Sequence, residues 1–158
     1  MEDQDESILG LKRRASWSKN RFAWIYAIVI GILVLVYSTV LYLYNIYESR
    51  ALRILNVFFI ILGFILLLKD YIKVKDEDLG YTEAFMFCFK TGIYFCILII
   101  PVVLFFMAIH PQEIDLIERQ ETYGSDLTQF EMGFSVFLES ITSVVIAAFV
   151  AAFKGKRN

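Results

Sequence analysis

The chain reads as an all-α polytopic membrane protein, a bundle of four transmembrane helices with both termini cytoplasmic. Three observations predict it. Of the 158 residues, 58% are hydrophobic and 16% aromatic, more than a water-soluble domain of this size can bury. These residues gather into four long blocks instead of amphipathic stripes, so the solvent they fit is lipid. The basic residues collect beside alternate ends of the blocks, which gives the blocks a direction.

Residues 1–22 form a basic arm with Lys12, Arg13, Arg14, Lys19 and Arg21. Within it "ILGLKRRASW" is weakly amphipathic and suits anionic headgroups, so Lys12, Arg13 and Arg14 are expected to touch anionic lipid. The first span, 23–44, is "AWIYAIVIGILVLVYSTVLYLY", uncharged and roughly 33 Å long at the helical rise. A basic segment ahead of an apolar one has the order of a secretory signal. This apolar block is longer than a signal's, however, and it runs into "YLYNIYESR" without a small-residue cleavage site, which predicts an uncleaved anchor.

The second span, 51–72, is built on "ILNVFFIILGFILLL", only about 22 Å of apolar helix. Snorkelling of Arg53 and Lys69 at its ends lets it cross. In the third, 85–109, the stretch after Lys90 already covers about 28 Å. Lys90 then falls at the cytoplasmic boundary, with its ammonium reaching the headgroups. Pro101 in mid-span removes one backbone hydrogen bond and frees the Ile97 carbonyl, predicting a kink. An external acidic segment, 110–132, follows, with Glu113, Asp115, Glu118, Glu121, Asp126 and Glu131. Pro111 in a first turn and Gly124 past an end predict a short helix there. The fourth span, 133–153, covers about 30 Å, and "TQFE" places Thr128 as an N-cap with Glu131 completing a capping box. A basic tail, 154–158, closes the chain.

Orientation follows from the charges. The arm, the loop with Lys69, Lys73 and Lys75, and the tail with Lys154, Lys156 and Arg157 outnumber Arg50, Arg53 and Arg119 on the other side. The rule that basic loops stay inside puts both termini in the cytoplasm.

The sequence offers little for catalysis. It has a single histidine, His110, and lacks a H-x-E pair, a GxGxxG, a P-loop and a G-x-S-x-G. His110, beside Pro111, marks a helix end at the interface. Cys88 and Cys96 have no CxxC spacing and read as packing residues. The expectation is a protein that is not an enzyme, with no catalytic residue, cofactor, metal or nucleic-acid partner.

One carboxylate, Glu139, lies within the fourth span, and intramembrane acids are functional candidates by default. Counting in fours gives Ser135, Glu139, Ser143, Ala147, Ala151 and Gly155, a small-residue row on one helix face. Ala23, Ala27 and Gly31 form a matching row in the first span. The two rows are expected to pack the first helix against the fourth. Glu139 is then expected in the outer third of the membrane, facing the first or second helix. There Arg53 supplies a countercharge and Asn56 a hydrogen bond, or Glu139 carries a proton.

The Gly80–Tyr81 start in "GYTEAFMFCFKTG", Phe85, the "IHP" with Pro111 and a last helix ending "AAFVAAFKGKRN" together resemble the bacterial family catalogued as domain of unknown function 4199. The resemblance covers nearly all of the chain after the arm. It implies a helical bundle of the bacterial inner membrane and brings no activity and no catalytic residue. Two function classes follow from the residues. One is a non-enzymatic scaffold or accessory subunit that meets lipid, a second copy or another membrane protein. The alternative is a small transporter or channel component in which Glu139 handles a proton or cation.

Overall fold

The computed structural model describes residues 14–44, 50–109 and 129–155. They form α1 (Lys19–Leu43), α2 (Arg50–Lys75), α3 (Tyr81–Ile109) and α4 (Gln129–Gly155). The fold is all-helical, and all four helices are long and apolar enough to cross a membrane.

The helices overrun the expected spans at their polar ends, because backbone chemistry and not hydropathy stops them. Ser18 caps α1, its Oγ accepting from the Arg21 N–H at 3.3 Å, so the helix begins at Lys19. α2 ends where Asp76 enters the left-handed region at φ 53°, which Asp tolerates better than most residues. The Asp76 N–H still donates to the Ile72 carbonyl at 2.8 Å. α3 contains Pro101 and continues as helix to Ile109. Burial stops at that proline: Ile99 is buried, and from Pro101 outward the described residues are exposed apart from half-buried Val103.

Contacts fix the arrangement. α1 and α4 each pack beside both α2 and α3, α2 and α3 touch across the centre, and α1 and α4 occupy opposite corners. Tyr26 meets Asp70 and Tyr37 meets Phe59, so α1 and α2 are antiparallel. Asn20 meets Lys90 and Tyr42 meets Phe106, so α1 and α3 are parallel. Tyr81 meets Phe149 while Gly92 faces Val144, so α3 and α4 are antiparallel. Lys19, Lys75, Tyr81 and Lys154 therefore share one end of the bundle, called here the basic end.

The core lies toward that end. Phe22 packs edge-on to Tyr71 with centroids 5.5 Å apart, and Tyr71 to Phe87 at 5.0 Å. Phe64, Leu67, Phe95 and Val144 fill the space beyond. Two glycines set the closest approaches. A Cβ on Gly63 of α2 would stand 2.4 Å from Ile30 Cγ1 of α1, and one on Gly92 of α3 would stand 2.1 Å from Val144 Cγ1 of α4. Each glycine is a notch filled by a branched side chain, the means by which small residues bring membrane helices together.

The expected pairing of the small-residue rows is corrected here. Ala23, Ala27 and Gly31 are buried, as are Ala147 and Ala151, with Ser143 half-buried. The rows do not meet, because α1 and α4 lie on a diagonal. Gly31 instead looks onto Phe95 and Ile99 of α3. The surroundings of Ser135 and Gly155 lie outside the described residues.

Candidate functional site

Glu139 projects outward. It is exposed, as are its neighbours Phe137 and Leu138, whereas α4 buries Val144, Ala147, Ala148, Ala151 and Ala152. Its depth follows from helix register. Glu139 is five residues beyond Val144, about 7.5 Å farther from the basic end, which brings it level with Ile97 of α3. Phe95 and Ile99 flank Gly31, and Ile30 fills the notch at Gly63. Glu139 therefore stands level with Gly31 and Ile97, near mid-height of the described helices.

On this register the Asn56 half of the expected clasp with Glu139 does not form. Asn56 is seven residues past Gly63 on α2, about 10 Å nearer the other end, and Arg53 lies another turn beyond. Asn56 is half-buried, and its Oδ1 is buried with no hydrogen bond among the described residues. The side chain of Arg53 lies outside the described residues, as do Lys12, Arg13 and residues 110–128, which include His110, Thr128 and most of the acidic external segment, whose last four residues, 129–132, belong to α4. Cys88 and Cys96 are free and buried, as packing residues should be.

Polar side chains converge instead at the basic end. Asp70 of α2 accepts from Arg14 Nη1 at 3.3 Å and from the Tyr26 hydroxyl at 3.0 Å. Lys75 Nζ donates to the Ala15 carbonyl at 2.7 Å. Lys19 pairs with Glu83 and sits over the Tyr71 ring, while the Tyr71 hydroxyl donates to Glu77 at 3.3 Å. Arg14 and Arg21 lie over the Trp17 ring at 5.8 and 4.8 Å, within cation–π range. Arg14, expected on lipid, is thus turned back onto Asp70. The cluster ties residues 14–18 and the start of α1 to α2 and α3. Two of its cations, Arg14 and Lys19, are paired with acids in place. Among the described residues no three His, Cys, Asp or Glu side chains gather to hold a metal.

Sequence reasoning missed Asp70, although an acid between Lys69 and Lys73 signals a cation elsewhere that it answers. It also missed the α3 packing row Ala84, Cys88, Gly92 and Cys96, all buried. The spacing of four was present once the cysteines were counted as small residues.

Fold and site fit a multi-pass helical membrane protein with a packed interior and, among the described residues, one outward-facing mid-height acid. Compared with protein-family models, characterised proteins and solved structures, the chain matches none of them.

Proposed function

We propose that this protein is a non-enzymatic scaffold or accessory subunit of a membrane complex in the bacterial inner membrane, with both termini cytoplasmic. The observation that supports this reading is the outward aim of Glu139 at mid-height. A charged residue at the centre of a bilayer costs about 2.5–3.5 kcal/mol on insertion scales. A neighbouring membrane helix that brings a donor, such as Lys, Arg, Asn or Ser, removes that cost and gains a directional contact. The basic asymmetry supports the orientation, and the resemblance to the unknown-function family supports the bacterial setting.

The transporter reading draws less support. Phe22, Phe64, Leu67, Phe95 and Val144 occupy the interior, and an open apolar hollow lined by Val29, Ile32, Leu33 and Val36 lies on the outer face of α1. Photo-crosslinking from positions 138 and 142 in native membranes tests the scaffold reading. The expected result is a discrete protein adduct that Glu139→Leu abolishes. Adducts with lipid alone, or a protein adduct indifferent to Glu139, would overturn it.

A further inference from the structure

On the outside of the bundle, along the seam between the parallel helices α1 and α3, two contacts are stacked one turn apart. Lys90 Nζ donates to Asn20 Oδ1 at 2.7 Å. Four residues on in each helix, Trp24 and Tyr94 stack with centroids 4.4 Å apart and planes at 12°. Lys90 is exposed, as is Asn20. It lies nine residues into α3, yet its ammonium reaches the first turn of α1, where the apolar part of that helix begins. The ammonium therefore meets α1 at that helix's polar start.

The chemistry of this niche is one-sided. Among the described residues Lys90 has no acidic partner, since the two ion pairs there are Arg14 with Asp70 and Lys19 with Glu83. An ammonium has three donors, and Asn20 takes one. Because Asn20 accepts through Oδ1, its Nδ2 hydrogens also remain to donate. Several donors and a full positive charge thus meet with no anion among the described residues. Below them, Trp24 is 39% exposed, and Ile28 and Ile97 are 45% and 56% exposed. The donors consequently sit at the head of an apolar track that runs down the seam.

We propose that the α1–α3 seam is a binding site for an anionic phospholipid, with the headgroup phosphate held by Lys90 and Asn20 and an acyl chain laid over the Trp24–Tyr94 stack. The donors alone would suit free phosphate equally well. The continuous apolar track is what selects a lipid, and the unneutralised ammonium is what selects a net negative one. This site differs from the contact expected of the arm, because Arg14 is engaged with Asp70 and the seam lies on other residues.

Native mass spectrometry of the full chain, delipidated and then titrated with phosphatidylglycerol, phosphatidylcholine or inorganic phosphate, tests the proposal. Phosphatidylglycerol should give a retained one-to-one adduct. Lys90→Arg should keep it, and Lys90→Gln should weaken it about tenfold, the expected loss of a charge-assisted hydrogen bond. Asn20→Asp should also lose the adduct while keeping the fold, because an acid at that position neutralises Lys90 in place. Lys73→Gln, a surface lysine away from the seam, should bind as wild type does. Equal retention of phosphatidylcholine, or undiminished binding by Lys90→Gln or Asn20→Asp, overturns the site. Competition by inorganic phosphate at matched concentration overturns its assignment to lipid.

Discussion

Val144 of α4 seats its Cγ1 in a notch that exists only because residue 92 of α3 has no side chain. The same device joins Ile30 to Gly63 between α1 and α2. In both cases the inserted side chain is branched at Cβ and buried, so it has no free rotamer into which to retreat.

Gly63→Ala and Gly92→Ala should therefore each destabilise the bundle by about 1–3 kcal/mol, the usual cost of overpacking. Gly31→Ala should be neutral, because its added Cβ would meet Ile99 and Phe95 at 3.9 and 4.0 Å, ordinary contact distances. Thermal unfolding in detergent distinguishes the two kinds of glycine. Equal behaviour of all three would contradict the notch geometry.

The two cysteines supply the readout. Cys88 is 0% and Cys96 5% exposed, so neither should react with a membrane-permeant maleimide until the bundle opens. Labelling against temperature should follow a single cooperative transition that shifts down in the destabilised glycine variants. Labelling of the folded protein at room temperature would show that α3 is less enclosed than its packing implies.

Asp70 holds two donors, one charged and one neutral. Asp70→Asn keeps an acceptor for Tyr26 and loses the attraction for Arg14, a half-exposed pair worth about 0.2–1 kcal/mol. Asp70→Leu strands the Tyr26 hydroxyl as well and should cost about 1–3 kcal/mol. Trypsin cleavage after Arg14 should accelerate in both variants, and more in Asp70→Leu. Unchanged cleavage would mean that Asp70 does not fasten the segment.

Glu139 is expected to behave opposite to a structural clasp. Since its side chain meets no partner within the described bundle, both Glu139→Gln and Glu139→Leu should leave the unfolding temperature of the isolated protein unchanged. Glu139→Leu should lose the crosslinked partner, whereas Glu139→Gln should keep part of it through its amide. A marked loss of intrinsic stability in Glu139→Leu would return the carboxyl to an internal role.

Orientation is settled by accessibility labelling in a background free of Cys88 and Cys96. A cysteine at Ser16 should react only from the cytoplasmic side and one at Ser125 only from outside. The reverse pattern would invert the bundle and move the Lys90 seam to the outer leaflet.

Hydropathy made the helices legible, because a membrane-spanning segment announces itself by composition over a long window. Burial of Ala23, Ala27, Ala147 and Ala151 was legible too, since small residues at a spacing of four mark a face that approaches something. Which helix it approaches is not written in that spacing. Gly31 of the α1 row meets Phe95 and Ile99 of α3, where bulky side chains accept a small one, so matching small to small chose the wrong partner. The aim of Glu139 was misread for a related reason. Along the row through residue 139, Glu139 is exposed, Ser143 half-buried, and Ala147 and Ala151 buried, and a periodic pattern does not reveal where contact ends.

The diagonal placement of α1 and α4 bears on how the protein is made. Helices leaving the ribosome in order can join as an α1–α2 hairpin, and α3 then docks against α1 through the seam. Until α4 arrives, the notch at Gly92 and the flank of α2 stay open to lipid, to a chaperone or to a helix from another chain. The last helix has no contact with the first to guide it, so it must find a groove built entirely by the two between them. Insertion in chain order would thus pass through a three-helix stage with a helix-sized vacancy, and a competitor for that vacancy would act on the nascent chain and leave the finished protein untouched.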